Sequence, residues 1–418
     1  MLKLLNNSIL GPLLIIVIGL GGLCLLIKYR LYPYRSPRRS LSVLLSGSGV
    51  KTACLSLAGT LGVGNITGVA SAITVGGAGA VFWMWCFAAL SCVIKYSEVV
   101  LSHLYKGKNG CGAAYYIEKG LNSRFLGVLF SLLLIISSVG MGNMVQCSSA
   151  TDGLYYTLGV PKIITCIAFA LTTVLLVVGG RNRITLFTSV LIPSLTALYV
   201  LISLAIILAN ITLVPSIIRN IFEGAFSFDS LGGGVVGFLT SKTVRLGAAR
   251  GILSNEAGCG TTAYAQDKDE NNPIANGMWG MVEVVVDTII LCTLTAVVIL
   301  IAPTSSKEPM EAVVGAYSYF GVIGGDFVGV SAALYGLASV VCWSYYGVSA
   351  VKYLGGKKKA CILYVVTYSI TGILGSVFKS ELVWDISDLT VSVMAIFNTL
   401  CVIALSGKIK GKTIEYFS

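Results

Sequence analysis

The fold of this chain is decided by GTLGVGNITGVA at residues 59–70 and by GAARGILSNEAGCGTTA at residues 247–263. Both stretches lie inside long apolar segments, yet both are dense in glycine, small and polar residues. Glycine costs a helix about 1 kcal/mol relative to alanine. Exposed backbone in hydrocarbon costs several kcal/mol per group, so a break survives only where it lines a protein cavity. The sequence therefore predicts two membrane helices that are broken near mid-membrane, around a binding site.

The composition predicts an all-α integral membrane protein. Hydrophobic residues make up 56% of the 418 residues and charged residues only 11%, with a mean hydropathy of +0.87, whereas soluble proteins are about one quarter charged. A helix that spans the membrane needs ~20 apolar residues. The whole chain, 1–418, is predicted to form a single transmembrane domain. About eleven spans are predicted, at residues 8–30, 50–74, 79–104, 124–156, 160–178, 184–209, 235–265, 276–302, 326–354, 358–378 and 384–406.

The net charge of +11 arises mainly from bases in short loops. When the spans alternate in direction, twenty of the 29 bases fall on one side, which the positive-inside rule places in the cytoplasm. We therefore expect a multi-pass protein of the cell (inner) membrane with its N-terminus outside and its C-terminus cytoplasmic, and no nucleic-acid partner. The first apolar run ends in bases rather than in a small-residue cleavage site, which predicts a retained helix. The twenty bases lie within residues 28–51, 106–124, 181–183, 268, 352–359 and 408–412.

The positions of the two broken segments predict an inverted repeat. If residues 8–30 form an extra N-terminal helix, the broken helices become the first and sixth of ten. Interrupted helices in matching positions of two halves are typical of secondary transporters. The first repeat is then predicted at 50–209, the second at 235–406 and a cytoplasmic tail at 407–418. The two halves do not visibly align, so the prediction depends on position only.

A set of ordered motifs resembles the alanine or glycine:cation symporters, also called sodium:alanine symporters, within the LeuT-like fold group. The resemblance spans roughly residues 40–410. It implies a five-plus-five inverted repeat that imports a small neutral amino acid with Na⁺ by alternating access. Ala78 and the loop AYAQDKDENNP depart from the family pattern. The motifs are GVGNITGVASAITVGGAGAVFWMW (62–85), KYSEVVL (95–101), YYIEKGL (115–121), GNMVQ (142–146), ARGILSNEAGCG (249–260), DTIILCT (287–293), WSYYG (343–347) and MAIFN (394–398).

The first break offers a site for a substrate carboxylate. Backbone N–H groups of Val63, Gly64 and Asn65, at the positive end of a half-helix, can bind a carboxylate without an arginine. The alternative is that Gly64 and Gly68 form a helix-packing motif. The second interrupted helix and the family resemblance favour the binding site.

The second break offers partners for the substrate ammonium through Ser254, Asn255 and Glu256. A carboxylate at mid-membrane is costly and by default functional. For Glu256, direct substrate contact, a structural pair with Arg250 and a capping role at the break all remain open.

Two further elements carry candidate substrate contacts. Asn143 and Gln146 lie three residues apart and are predicted to share one helix face, either as interhelical contacts or as ligand contacts. The resemblance favours contact for Gln146. Trp343 lies either in ordinary packing or, as the resemblance implies, in an aromatic wall over the substrate.

The resemblance also implies a cation site between the first and eighth core helices. Its ligands on this chain would be the carbonyls of Ala58 and Leu61 and the hydroxyl of Ser339. The family usually has two adjacent hydroxyl residues at the last position, whereas this chain has Ala338 before Ser339. One ligand is therefore missing or replaced by water. Na⁺ is the expected coupling ion, and no other cofactor is expected.

The remaining charges within spans are close in sequence. Lys95 and Glu98 are predicted to pair on one helix face. Glu283 lies one turn before Asp287, which has no obvious local partner and could bind a proton or stabilise a gate.

Three other functions can be compared with the residues of this sequence. An H⁺-coupled symporter of the same substrates and a ligand-binding relic that does not cycle both stay open. An intramembrane enzyme needs a nucleophile with a base, or a metal, and the single histidine, His103, lies at a span end. The chain is therefore predicted not to be an enzyme. Its expected partners are a small neutral amino acid, Na⁺ and lipid, and a monomer suffices.

Overall fold

The computed structural model describes residues 2–30, 50–107, 110–226, 237, 241–266, 272–302 and 306–417. Helices make up nearly all of these residues. Three of the helices, α1, α6 and α12, each contain a stretch of π-helix. The helices are α1 (Leu2–Lys28), α2 (Val50–Thr60), α3 (Thr67–Gly76), α4 (Ala80–Leu104), α5 (Ala113–Gly120), α6 (Arg124–Leu158), α7 (Lys162–Val178), α8 (Arg181–Ala209), α9 (Val214–Ala225), α10 (Lys242–Asn255), α11 (Thr262–Ala265), α12 (Pro273–Ile301), α13 (Pro309–Ser318), α14 (Val322–Tyr353), α15 (Lys358–Val377) and α16 (Ser380–Phe417).

The described residues include eight helices that are long and apolar enough to cross a membrane, or nine if the bent pair α2 and α3 is one span. The remaining two predicted spans correspond to the 17-residue apolar helix α7 and to the interrupted pair α10 and α11. The count of eleven therefore stays a prediction. Large apolar side chains such as Leu171, Leu186 and Leu201 are exposed on the outside of the helix bundle, as lipid contact requires.

The order of elements repeats along the chain. The series α2/α3, α4, α5, α6, α7 and α8 matches the series α10/α11, α12, α13, α14, α15 and α16, with a short helix in the same place in each. Counterparts also pack together: α3 against α10, α4 against α12, α6 against α14 and α7 against α15. This is the arrangement of a repeat with interrupted helices at matching positions.

Helix α1 lies outside the repeats and runs in the same direction as α16. Near its start, the Asn6 side-chain amide donates to the Asp385 carbonyl over 2.8 Å. At its end, Lys28 donates to Ser406. Lys28 and the basic end of α16 therefore lie on one side of the molecule, as the charge pattern predicts. Helix α16 continues to Phe417, so residues 407–417 of the predicted tail extend the last helix.

Some sequence predictions lie outside the described residues. They comprise most of the first basic loop, with Arg35, Arg38 and Arg39, together with Lys108, Lys268 and most of residues 235–240.

Candidate substrate and cation site

The first break separates α2 from α3 by six residues that include a 3₁₀ turn, Val63–Asn65. A bend of 56° accompanies it. Glycine is needed here because neighbouring elements approach the backbone closely. A Cβ on Gly62 would lie 2.5 Å from Oε1 of Gln146, and one on Gly64 would lie 2.9 Å from Cα of Ser254. The first break therefore contacts both α6 and the second break.

The Val63 N–H is already bonded within the protein. It donates to Oε1 of Gln146 over 2.9 Å, and both residues are buried. A buried N–H without a partner is costly, so an amide side chain at this place stabilises the break. The prediction that the Val63 N–H is open to a substrate carboxylate is wrong for this conformation. Gly64 and Asn65 stay candidates for that role.

The second break begins after Asn255, where α10 ends. Glu256 has a φ of 54°, and Gly258 and Gly260 have φ of 91° and 73°. Glycine adopts these left-handed angles without strain, whereas a left-handed glutamate is uncommon. These three residues alternate with others in NEAGCG, and their left-handed angles end helix α10. The next helical turn starts at Thr262.

Glu256 holds the second break through two hydrogen bonds. Its Oε2 accepts from the Thr261 hydroxyl and its Oε1 from Nε1 of Trp343, each over 2.7 Å. Arg250 instead forms a bidentate pair with Asp388, at 2.5 and 3.1 Å. The alternative of a Glu256–Arg250 pair is therefore wrong. Both oxygens of Glu256 are used within the protein, as in the capping role.

Asn255 is likewise satisfied by its neighbours. Its amide nitrogen donates to the Thr288 hydroxyl over 3.1 Å, and its amide oxygen accepts from the Ala257 N–H over 3.0 Å. Ser254 lies beside Asp287, and its hydroxyl is 3.4 Å from the sulfur of Cys292. Of the three residues predicted to bind the substrate ammonium, Ser254 is thus the one whose side chain is least occupied by hydrogen bonds within the protein.

Lys95 is fully buried where the two breaks meet. Its ammonium donates to Thr60 Oγ1 over 3.1 Å and to the Asn255 carbonyl over 2.8 Å, and it lies 3.4 Å from Oε2 of Glu283. The predicted pair with Glu98 on the same helix face is wrong. The last residues of α2 and α10 form the negative ends of two half-helices, which attract the lysine ammonium. Lys95 therefore points toward these ends and not toward Glu98, which lies one turn further along the same helix.

Glu98 instead supports the glycine-rich loop of the second break. Its Oε1 accepts from the Gly260 N–H over 2.9 Å and from the Asn398 side chain over 2.6 Å. Asn398 also donates to the Gly258 carbonyl over 2.7 Å. Asn398 was not among the predicted site residues, although it ends the motif MAIFN and is a polar residue in an apolar helix.

Asn143 and Gln146 do not act together. The Asn143 side chain donates to the Tyr368 carbonyl and the Thr371 hydroxyl of α15, whereas Gln146 contacts the first break. The shared face was predicted for a regular α-helix, but residues Gly140–Val145 form π-helix, whose wider turn rotates the two side chains apart. Asn143 is thus an interhelical contact in this conformation, which is the other of its two predicted roles. Trp343 packs against Gly142 in this turn.

Asn65 is the least satisfied residue of the site. It is fully buried, and neither its side-chain oxygen nor its nitrogen has a hydrogen-bond partner in the part of the chain that the structure describes. Its carbonyl accepts from the Thr295 hydroxyl over 2.8 Å. Buried amides are normally bonded, so an open one marks a place for a ligand or water.

The predicted cation ligands come from helices that pack together. The Ser339 hydroxyl donates to the Gly59 carbonyl over 2.9 Å, next to Ala58 on α2. Ala58, Leu61 and Ser339 are all fully buried. Carbonyl and hydroxyl oxygens are suitable ligands for a hard cation such as Na⁺, and the end of α2 adds the negative end of a half-helix.

Known proteins resemble the chain over its length. A sequence model of the sodium:alanine symporter family matches residues 1–418. The amino-acid carrier protein AlsT of Bacillus subtilis is 33% identical over 89% of this chain and 80% of its own. The sodium/alanine symporter AgcS of Methanococcus maripaludis is 32% identical over 85% of this chain and 81% of its own.

A solved structure resembles the fold. It is that of MhsT in complex with L-phenylalanine, with a TM-score of 0.60 and 15% identity, covering 88% of this chain and 98% of that one. The predicted LeuT-like fold is confirmed. Family and fold are those of multi-pass transporters rather than enzymes.

Proposed function

This chain belongs to the sodium:alanine symporter family, and from that membership we propose that it imports alanine or glycine, and also D-alanine, together with Na⁺. Its broader activity is that of an amino-acid:cation symporter. The narrower proposal concerns the substrate, the ion and the residues that bind them. Rocking of one helix bundle against another around the breaks would give access to each side in turn.

One observation supports the proposal most strongly. The two breaks pack closely against each other, and polar groups at the place where they meet have no hydrogen-bond partner among the described residues. Gly64 approaches Ser254 so closely that even a Cβ would not fit between them. Asn65, beside Gly64, retains its hydrogen-bonding capacity in a buried place. Trp343 is held over Gly142 and tethered to Glu256. These contacts favour a small zwitterion whose charged ends are bound by the breaks and whose side chain is short.

A competition assay tests the substrate class. Uptake of labelled alanine into proteoliposomes should be inhibited by unlabelled glycine, alanine, D-alanine or serine, and not by leucine or glutamate. One extra methylene is worth ~1–3 kcal/mol in such a site, so apparent affinities within the small set should differ by about 10- to 100-fold. Stronger inhibition by leucine or glutamate than by alanine would contradict the proposed substrate.

For the cation, we expect Ser339→Ala to raise the Na⁺ concentration for half-maximal uptake by about 10-fold. This is the effect expected from losing one neutral ligand worth ~1.4 kcal/mol. The alanine KM at saturating Na⁺ should change much less. Ser331→Ala is the matched control, because it removes a buried hydroxyl eight residues earlier on α14 and should leave Na⁺ dependence unchanged. Equal effects of both substitutions would remove Ser339 from the cation site.

An H⁺-coupled mechanism is the second candidate, and the buried carboxyl groups of Glu98, Glu283 and Asp287 are the observation that favours it. A membrane-buried carboxyl group is a common proton carrier in transporters. A ligand-binding relic remains the third candidate. Alanine-dependent stabilisation without counterflow exchange would support the relic, whereas exchange would support a cycling transporter.

The orientation is part of the proposal. The parallel course of α1 and α16 places Lys28 and the three lysines of residues 408–412 on one side. By the positive-inside rule this side is cytoplasmic. We therefore place the start of α1 outside the cell (inner) membrane and the end of α16 inside it.

A further inference from the structure

The buried carboxylate of Asp287 is incompletely bonded among the described residues, and the Ser254 hydroxyl is its polar neighbour on α10. It is fully buried in the π-helical part of α12, Val285–Cys292. Its Oδ2 accepts from the Thr288 hydroxyl over 2.8 Å, whereas Oδ1 has no hydrogen-bond partner among the described residues. A buried charge is normally paired or neutralised because its desolvation is costly. An open carboxylate oxygen therefore needs a cationic partner or a proton.

The neighbours of Asp287 are the two breaks. The 3₁₀ turn of the first break, which ends at Asn65, packs against the π-helical part of α12. Ser254, the last residue but one of α10, lies beside the Asp287 carboxylate and also contacts Gly64. Asn65 and Asp287, which both have side-chain atoms without a hydrogen-bond partner among the described residues, thus belong to segments that meet around Ser254.

The two buried cations in the part of the chain that the structure describes here, Lys95 and Arg250, form their ion pairs with carboxylates other than Asp287. Lys95, the buried ammonium of this region, is within ion-pair distance of Glu283 and bonded to Thr60 and Asn255. Arg250 is paired with Asp388. Among the described residues each of these cations has another partner, so the Asp287 carboxylate is left to a proton or to a cation from outside the chain.

The number and type of open groups match an ammonium. A protonated amine has three N–H donors. Asp287 Oδ1, the Asn65 amide oxygen and the Ser254 hydroxyl supply three oxygen acceptors from three elements. A hard cation such as Na⁺ would need about five or six oxygens, and the proposed cation site, with the carbonyls at the end of α2 and the hydroxyl of Ser339, would bind it separately. By contrast, both oxygens of Glu256 are occupied by Trp343 and Thr261.

We propose that Asp287, with Asn65 and Ser254, binds the α-ammonium of the transported amino acid and selects amino acids over uncharged analogues. The inference rests on the proposed import of a small amino acid. It moves the recognition of the ammonium from Asn255 and Glu256 to α12, and it leaves the carboxylate for the backbone of the first break. Lactate, which has a hydroxyl in place of the ammonium of alanine, is then a poor ligand.

The test is Asp287→Asn, which keeps the shape of the side chain and removes its charge. In proteoliposomes at saturating Na⁺, the alanine KM should rise on the order of 100-fold, as expected when one partner of a buried charge pair is lost. The Na⁺ concentration for half-maximal uptake should change less than about 2-fold. This is well below the effect expected from the loss of one neutral cation ligand. Because only alanine loses an ion pair, its preference over lactate as a competitor should fall by a similar factor.

Asp326→Asn is the matched control. Asp326 is a half-buried aspartate on α14, thirteen residues and thus roughly 20 Å along the helix from Ser339. This substitution should leave all three measurements unchanged. If Asp287→Asn raises the Na⁺ requirement and leaves the alanine KM unchanged, Asp287 is a cation ligand and the inference is wrong. Equal weakening of alanine and lactate binding would show a structural role and also contradict it.

A second measurement uses the unaltered protein, in case the variant does not fold. N-methylalanine, N,N-dimethylalanine and N,N,N-trimethylalanine keep the positive charge and successively lose the N–H donors. Their competition with labelled alanine should weaken at each step. Competition by the trimethyl compound as strong as that by alanine would overturn the inference. Absence of alanine uptake by the unaltered protein would instead contradict the proposed function, so the two failures are distinguishable.

Discussion

Lys95→Met is expected to abolish alanine uptake and to destabilise the protein by about 3–5 kcal/mol, the usual cost of leaving one member of a buried ion pair without its partner. The substitution leaves Glu283 buried, with the Ser56 hydroxyl as its one remaining hydrogen-bond donor among the described residues. It also removes the ammonium from Thr60 and from the Asn255 carbonyl, where α2 and α10 end. Thermal unfolding in detergent and initial uptake rates measure the two effects.

The control for Lys95 is the double variant Lys95→Met/Glu283→Gln. Removing both charges should recover most of the stability, because no unpaired carboxylate is left. Uptake should stay low, because the ends of α2 and α10 still lack the ammonium group that donates hydrogen bonds to both of them. Lys28→Met, which loses one hydrogen bond to Ser406 at the end of α1, should transport normally. Normal uptake by Lys95→Met would mean that the lysine does not hold the breaks together.

Glu256→Ala is expected to lower kcat/KM for alanine by at least ~100-fold, from the loss of two charge-assisted hydrogen bonds worth about 1.5–3 kcal/mol each. Both the Trp343 indole and the Thr261 hydroxyl lose their acceptor. The loop of the second break then loses its tether to α14. Concentration-dependent uptake of alanine, with the amount of inserted protein determined in parallel, measures the change.

The variant Glu256→Gln distinguishes two roles of Glu256. In one, the side chain only connects the second break to α14 by hydrogen bonds; in the other, its negative charge binds the substrate. A glutamine oxygen can still accept from Trp343, so this variant should keep at least ~10% of the activity, a loss within about 1.4 kcal/mol. Glu311→Ala removes an exposed carboxylate on α13 and should have no effect. If Glu256→Gln were as inactive as Glu256→Ala, the negative charge itself would be required, and Glu256 would be the better candidate for the ammonium partner.

The membrane fold and both breaks were accessible from the sequence because they depend on local composition. Apolar runs define the spans, and the glycines around Asn65 and Glu256 define where a helix cannot continue. The positions of the breaks predict an inverted repeat without detectable similarity between its halves. Side-chain partners follow from tertiary packing instead. Lys95 and Glu283 are far apart in sequence, and local spacing wrongly favoured Glu98.

The π-helical segments account for much of the remaining difference. Residues Gly140–Val145 separate the directions of Asn143 and Gln146, and residues Val285–Cys292 carry Asp287 to the breaks. A period of 3.6 residues per turn cannot predict either direction. Asn398 was missed because a single asparagine in an apolar helix is most simply read as an interhelical contact, although here it binds the backbone of the second break.

Uphill transport of labelled alanine into proteoliposomes tests the central claim most directly. With an inward Na⁺ gradient, alanine should accumulate above its external concentration, and replacement of Na⁺ by K⁺ should stop the accumulation even when an inward H⁺ gradient is present. Accumulation driven by the H⁺ gradient alone would show that the coupling ion is a proton. Equal, non-accumulating uptake in the presence and absence of both gradients would contradict symport altogether.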